Sequence, residues 1–256
     1  MQPPDHPDPV TQATDSAVTV LCLDSDAEYL AQVEAAFDDH ETITVRTETD
    51  PAGLHDALEG VDCVVGTTDF DGTSGASLLE TVREAAPAMP VLLYTEDPLE
   101  AVADELLDAV WTDYLEREPD TTRTALLSQR VRHLVTARRL DALARRYHAA
   151  LENSRQATVV LSPDGTVEFA NRQIDAEFRT DRTRITGQHW STLFTDGSAQ
   201  RLRADAFPII ERGWRWTGET ALSLGSGATS HRQTSLTRLE DGSTIVSFHR
   251  LASPAE

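Results

Sequence analysis

The chain contains no lysine: all 22 of its bases are arginine, set against 43 acids, for a formal net charge of −21. Such a surplus of one sign keeps a surface hydrated and repels nonspecific polyanions, nucleic acid included. Cysteine occurs twice, at Cys22 and Cys63, each inside an apolar run, which reads as two buried free thiols. No apolar run approaches the roughly 18 residues that would suggest a transmembrane helix. The opening MQPPDHPDPVTQATDS lacks the basic patch and apolar stretch of a signal peptide. It reads instead as a disordered acidic tail over 1–16, and the chain is expected in the cytoplasm. Phosphate loop, nucleophile elbow, Ser-His-Asp pattern and paired metal-ligand histidines are all missing, so neither an enzyme nor a metal site is expected.

At 256 residues and 39% hydrophobic, the chain has room for two packed domains. Its charge divides it. Residues 1–120 hold 29 acids and three Arg, a net of −26, whereas residues 121–256 hold 14 acids and 19 Arg, a net of +5. Eight Arg and two acids fall within 121–155, so the basic stretch lies at the junction. The composition resembles that of proteins from salt-loving archaea.

Residues 17–120 alternate short apolar runs with helical spacing. Strands are expected at 18–23, 42–48, 61–66, 90–95 and 109–115, with helices at 26–37, 51–58, 77–86 and 98–107. Buried runs alternating with helices argue a doubly wound α/β parallel sheet. Residues 121–150 lack Gly and Pro and read as one linker helix. Its apolar stripe (Leu127, Val131, Leu134, then Leu140, Leu143, Tyr147 and Leu151) suits a dimer seam, though Arg138 and Asp141 interrupt a strict heptad. Residues 151–256 change pattern. Hairpins are expected around Asp164-Gly165 and Asp241-Gly242, with Asn171 as an N-cap. A helix kinked at Pro208 is expected over 199–212. Alternation over 214–224 should set Trp214, Trp216, Thr220, Leu222 and Leu224 on one face. The order describes an antiparallel five-stranded α+β domain.

The runs VTVLCLDSD, DCVVGTTDFDGTSG, PVLLYT and VWTDYLERE resemble the receiver domain of two-component response regulators, in its archaeal form. The resemblance implies a phosphorylation pocket of two acids after the first strand, an acceptor Asp after the third, a hydroxyl after the fourth and a Lys after the fifth. Here those positions hold Asp24, Ser25, Thr67, Thr95 and Arg117. A threonine hydroxyl cannot form an acyl phosphate and is a poor Mg²⁺ ligand, and a guanidinium fork differs from an ammonium point charge. A pseudo-receiver is therefore expected, with Asp24 and Arg117 paired across the old pocket. Asp69, two residues on with the same strand parity, is the alternative acceptor.

The runs YHAALENS, ATVVLSPDGTVEFANRQIDAEF, ITGQHW, ERGWRWTGE and SLTRLEDGSTIVSF resemble a PAS domain. The resemblance implies a sheet with helices on one face, and a noncovalent small ligand or none. The pocket candidates are Phe169, Phe178, Trp190, Phe194, Ile209, Trp214 and Phe248. The helix over 199–212 has no His and the domain no Cys, which disfavours haem ligation and flavin-cysteine photochemistry. The chain thus reads as a non-catalytic signalling protein whose partners are sensor histidine kinases or other signalling proteins, with a homodimer formed through the linker helix and PAS domain. A phosphorylated regulator using Asp69, or a DNA-binding regulator using Arg123, Arg130, Arg132, Arg138, Arg139, Arg145 and Arg146, are the alternatives.

Overall fold

A computed structural model describes residues 8–37, 41–70, 72–98, 109–117, 124–223 and 229–250. The chain divides into two compact units, Met1–Ala144 and Arg145–Glu256.

The first unit is built on five parallel strands: β1 Val18–Leu23, β2 Ile43–Glu48, β3 Cys63–Gly66, β6 Val91–Thr95 and β7 Thr112–Glu116. Their order is β2-β1-β3-β6-β7, the flavodoxin-like doubly wound arrangement of receivers. Two-residue strands β4 Asp69–Phe70 and β5 Thr73–Ser74 form a small hairpin beside it. Alternate residues of the main strands feed two cores. Val20, Cys22, Cys63, Val65 and Leu92 pack against helix α2, Ala27–Phe37, through Leu30, Val33 and Phe37. Leu21, Leu23, Val64, Val91 and Leu93 pack on the other face with α3, Leu54–Ala57, and α4, Gly75–Ala85, which Ser74 caps. Both thiols are buried, and burial pushes Cys22 up to about 12, so both read as inert core groups. The helix expected over 98–107 lies, beyond Pro98, outside the described residues.

Two expectations for this unit change. Residues 9–15, assigned to a disordered tail, form an exposed helix, α1, Pro9–Asp15, because Asp8 caps it and Pro9 occupies its first turn. Helix α5, Thr124–Asn153, is more than a linker. Leu127, Val131 and Val135 are buried in the same core as Leu30 and Val33, so the first half of the presumed dimer seam is consumed within its own unit. Its arginines hold acids and carbonyls of that unit. Arg130 pairs with Asp113 at 3.1 Å, and Arg139 with Asp62 at 2.9 Å and the carbonyls of Ser16 and Ala17. Arg132 donates to Thr42. These three are thus engaged within the unit, though Arg130 and Arg132 stay exposed, and Arg123 lies outside the described residues.

The second unit is an antiparallel sheet, β10-β11-β12-β8-β9, formed by β8 Ala157–Leu161, β9 Val167–Ala170, β10 Trp216–Leu222, β11 Ser230–Arg238 and β12 Thr244–His249. Helix α6, Arg172–Phe178, short α7, Arg182–Ile185, and a helical run over 196–210 pack on its core face. The expected turns form: Gly165 and Gly242 take φ of 86° and 88°, and Asp164 and Asp241 accept hydrogen bonds from the residues two further on. In the helical run, a wider π turn at Leu202–Ala206 precedes Pro208. The proline supplies no N–H and crowds the preceding turn, and the wider turn accommodates both.

Asn171 holds the expected N-cap position of α6, but its side chain makes no cap bond. It is wholly buried, and its side chain ties three backbone groups: Nδ2 donates to the carbonyls of Leu151 at 3.0 Å and Gln156 at 2.8 Å, and Oδ1 accepts from the Thr158 amide at 3.0 Å. Nearby, Arg182 donates to both oxygens of Glu152 at 2.7 Å. Burial would raise the Glu152 carboxyl, but hydrogen bonds from Arg182 and the Arg172 amide outweigh it and hold it below its ordinary range. Hydrogen bonds from Ser162, Thr183 and Ser243 likewise lower Asp164, Asp181 and Asp241. Carboxyls that titrate lower folded than unfolded add stability that is complete above about pH 5 and is lost as pH falls through their folded values. Denaturant midpoints of this unit should therefore fall below that pH, and Arg182→Gln should flatten the acid-side slope.

Candidate functional site

The predicted pocket residues stand at the carboxyl ends of the parallel strands, the edge where side chains from different strands converge in an open α/β sheet. Asp24 follows β1, Thr67 follows β3, Thr95 closes β6 and Arg117 follows β7. The register Leu23↔Gly66 and Thr95↔Glu116 aligns these ends, and the Arg117 amide donates to the Thr95 carbonyl at 2.7 Å.

Arg117 fills the centre. Its Nη1 donates to Asp24 Oδ2 at 2.9 Å, its Nη2 to Glu96 Oε1 at 2.9 Å, and its Nε to the same Glu96 oxygen at 3.2 Å. The guanidinium also lies 4.0 Å above the Tyr29 ring, a cation–π contact. The Asp24 side chain is 11% exposed, and its other oxygen accepts from the Asp26 amide at 3.0 Å. Burial opposes the charge on Arg117, but Glu96, Tyr29 and Asp24 together raise its pKa, so the plug stays cationic. The cavity beneath, bordered by Asp24, Tyr29 and Tyr94, measures about 10 Å³, room for one water at most.

Beside the plug lies a hydroxyl cluster. Thr95 Oγ1 is 2.9 Å from Thr68 Oγ1. Thr68 donates to Asp97, whose amide returns a bond to Thr95 Oγ1 at 3.3 Å. The Tyr114 hydroxyl donates to the Asp97 carbonyl at 2.6 Å. Thr95 is thus engaged with neighbours rather than facing an open pocket.

The remaining predicted residues stay apart from this constellation. Ser25 is exposed and Thr67 half-buried, and neither side chain makes a hydrogen bond among the described residues. Asp69 is exposed on the β4–β5 hairpin, paired with Ser74, and its carboxylate accepts from the Gly72 amide at 3.0 Å. Among the described residues no hydrogen bond or ion pair joins it to Asp24, Thr95 or Arg117. No group of three or more His, Cys, Asp or Glu among the described residues could hold a metal ion.

Sequence reasoning missed Tyr29, Glu96, Thr68 and Asp97. Glu96 adjoins Thr95 in the chain and was within reach of that reading. Tyr29 and Asp97 gain their meaning only when α2 and β6 fold beside Arg117 and Thr68.

In the second unit four of the seven pocket candidates fill the interior. Phe178 and Phe194 lie 5.6 and 6.1 Å from Phe248, and Trp190 lies 6.0 Å from Phe194 and 4.7 Å from Phe207. Three do not. A bulge between the Val160↔Phe169 and Leu161↔Val167 pairs turns Phe169 to the outer face, edge-on to His148 at 5.1 Å. Ile209 is 37% exposed because its helix buries Ile210 instead. Trp214 is 71% exposed because the strand begins only at Trp216, so the expected alternation does not reach it, and Leu224 lies outside the described residues.

Residues 151–252 match the family model described as PAS fold. The solved PAS domain of an HTR-like protein from Haloarcula marismortui is 23% identical, with 44% of this chain and 93% of that one covered and a TM-score of 0.36. A domain of a sensory box sensor histidine kinase/response regulator from Geobacter sulfurreducens is 17% identical, covering 43% and 96%, with a TM-score of 0.38. A response regulator receiver domain protein from Clostridium thermocellum is 20% identical, covering 48% and 98%, with a TM-score of 0.41. A search of the curated proteins gave no match.

Proposed function

From a PAS fold at 151–252 and a receiver-type parallel sheet before it, a pairing that points to two-component-type signal transduction, we propose that this chain is a non-enzymatic signalling adaptor. Its front unit docks partner proteins without accepting phosphate, and its PAS domain senses a ligand or pairs with another protein. Sensor histidine kinases and other signalling proteins are the partner class. Pairing of two copies would use the second half of α5, where Tyr147 is 50% exposed, and the PAS unit. The acid surplus without lysine suits a cytoplasm of high salt.

The Arg117 plug carries this reading. Phosphoryl transfer to a receiver needs a carboxylate nucleophile, a carboxylate-held Mg²⁺ and a cation free to meet the product. Here Thr67 replaces the nucleophile, Ser25 one metal ligand, and Arg117 spends its charge on Asp24 and Glu96. Asp69, the alternative acceptor, faces solvent from a hairpin.

The test is incubation with acetyl phosphate and Mg²⁺ followed by intact-mass measurement. The native chain should show no phosphoryl adduct, and the reversal variant S25D/T67D/R117K should acquire one. An adduct on the native chain that disappears in Asp69→Ala would replace the adaptor with a phosphorylated regulator.

A further inference from the structure

Gly165 and Gly242, from the two hairpin turns of the C-terminal unit, border a cavity of about 170 Å³ at one end of its core. Strand register sets its floor. Arg238, Thr244 and Leu161 stand directly opposite one another on β11, β12 and β8. Each lies two residues from a core residue of its own strand, Leu236, Val246 and Val159, so all three face the core side. Opposed residues on neighbouring strands hold their Cβ atoms about 5 Å apart. The row therefore runs from a guanidinium through a hydroxyl to an apolar side chain, and Trp190 and Phe207 wall it.

The lining holds donors that lack acceptors. Trp190 is 6% exposed, and its indole N–H makes no hydrogen bond among the described residues. That edge of the ring adjoins the space: a Cβ added to Gly165, which borders the cavity, would lie 3.2 Å from Nε1. Thr244 is 4% exposed, and its hydroxyl is likewise without a partner among the described residues. Arg238, 33% exposed, also makes no hydrogen bond among them; its ion partner Glu211 lies 3.8 Å away, beyond hydrogen-bond reach. Buried donors left idle carry a desolvation cost that an added acceptor removes. The bordering acids lie outside, at the rim. Glu211 is 60% exposed, so water screens its charge, and exposed Asp164 already accepts from the Thr166 amide at 3.0 Å and from Ser162.

We propose that this cavity binds a short-chain carboxylate. The carboxylate oxygens meet Arg238, Thr244 and the indole N–H, and the carbon tail lies on Leu161 and Phe207. At about 30 Å³ for each water-sized group, the space takes about five or six non-hydrogen atoms, the size of propionate. Sites for larger metabolites run to about 300–1,000 Å³. The proposal rests on the sensory reading of this unit and is independent of the fate of phosphate in the first.

The full chain is titrated calorimetrically with sodium propionate and with glycerol, which is of similar size but uncharged. Propionate should bind, and glycerol at least about tenfold more weakly. Arg238→Gln should weaken propionate at least about tenfold, because a charge-assisted hydrogen bond is lost. Thr244→Val should weaken it about fivefold and leave the urea midpoint at or above the native one, since it removes a buried hydroxyl that has no partner. Glu211→Gln, which removes an opposing charge at the rim, should tighten it. If Arg238→Gln fails to fold by circular dichroism, Thr244→Val decides alone. Propionate binding unmoved by these variants, glycerol binding as tight as propionate, or no heat up to about 50 mM propionate, where even ~10 mM affinity would register, overturns the proposal. So does propionate binding that vanishes when chloride replaces sulfate as the salt anion, which would assign the space to a halide. A different metabolite that copurifies and ignores the variants would overturn this site while leaving the sensory reading intact. Absence of any binding metabolite would overturn both.

Discussion

Replacing Val131 with Asp is expected to unfold the N-terminal unit. Val131 is fully buried between Leu127 and Val135, in the core that also holds Leu30, Val33 and Phe37. A carboxylate there would have no partner, and the cost of burying it, several kcal/mol, compares with the roughly 5–15 kcal/mol by which a domain is stable. Chemical denaturation of the variant should lose the transition of the first unit and keep that of the second. The two units are analysed separately, because a single two-state fit does not describe them. A free linker forming a dimer seam predicts the opposite pattern, a changed molecular mass with both units still folded.

Asn171→Ala should cost the C-terminal unit about 3 kcal/mol, since three backbone groups lose their partner at a site with no solvent exposure. Asn171→Ser separates the two roles this residue could have. Serine caps helix N-termini as well as asparagine does, so a capping residue would be rescued within a few tenths of a kcal/mol. A serine hydroxyl cannot span Leu151, Gln156 and Thr158, so the bridge seen here predicts little rescue. Urea midpoints of Asn, Ser and Ala variants order the outcome, and a serine variant near the native midpoint would refute the bridging role.

The strands of both sheets were readable because buried β-branched runs and Asp-Gly turns are local signals. VTVLCL and CVVG fell where their apolar periods set them, and the two hairpins followed their turn residues. Long-range facts were not readable in this way. The stripe on α5 has the same spacing whether it faces its own sheet or another copy, and only the fold shows Val131 against the β1–β3 face. The family resemblance put Phe169 among the pocket candidates, but one bulge in β9 turns it to the outer face. Asn171 carries the sequence signal of a cap, yet the strand and helix that converge on it take over its side chain. At the pocket, the threonine that follows β3 was plain from residue identity. The Asp24–Arg117 pair was expected, but Glu96 and Tyr29 joined it only through the packing of elements distant in sequence.

The burial of Leu127, Val131 and Val135 has a practical corollary for dissecting the chain. A fragment ended after residue 120, where charge and pattern suggest a boundary, would lose Leu127, Val131 and Val135 from a sheet face that α2 would then cover without α5. Such a fragment invites aggregation, and its behaviour would say nothing about the native unit. An N-terminal piece carried through Ala144 retains that cover, along with the clasp of Arg139 on Asp62.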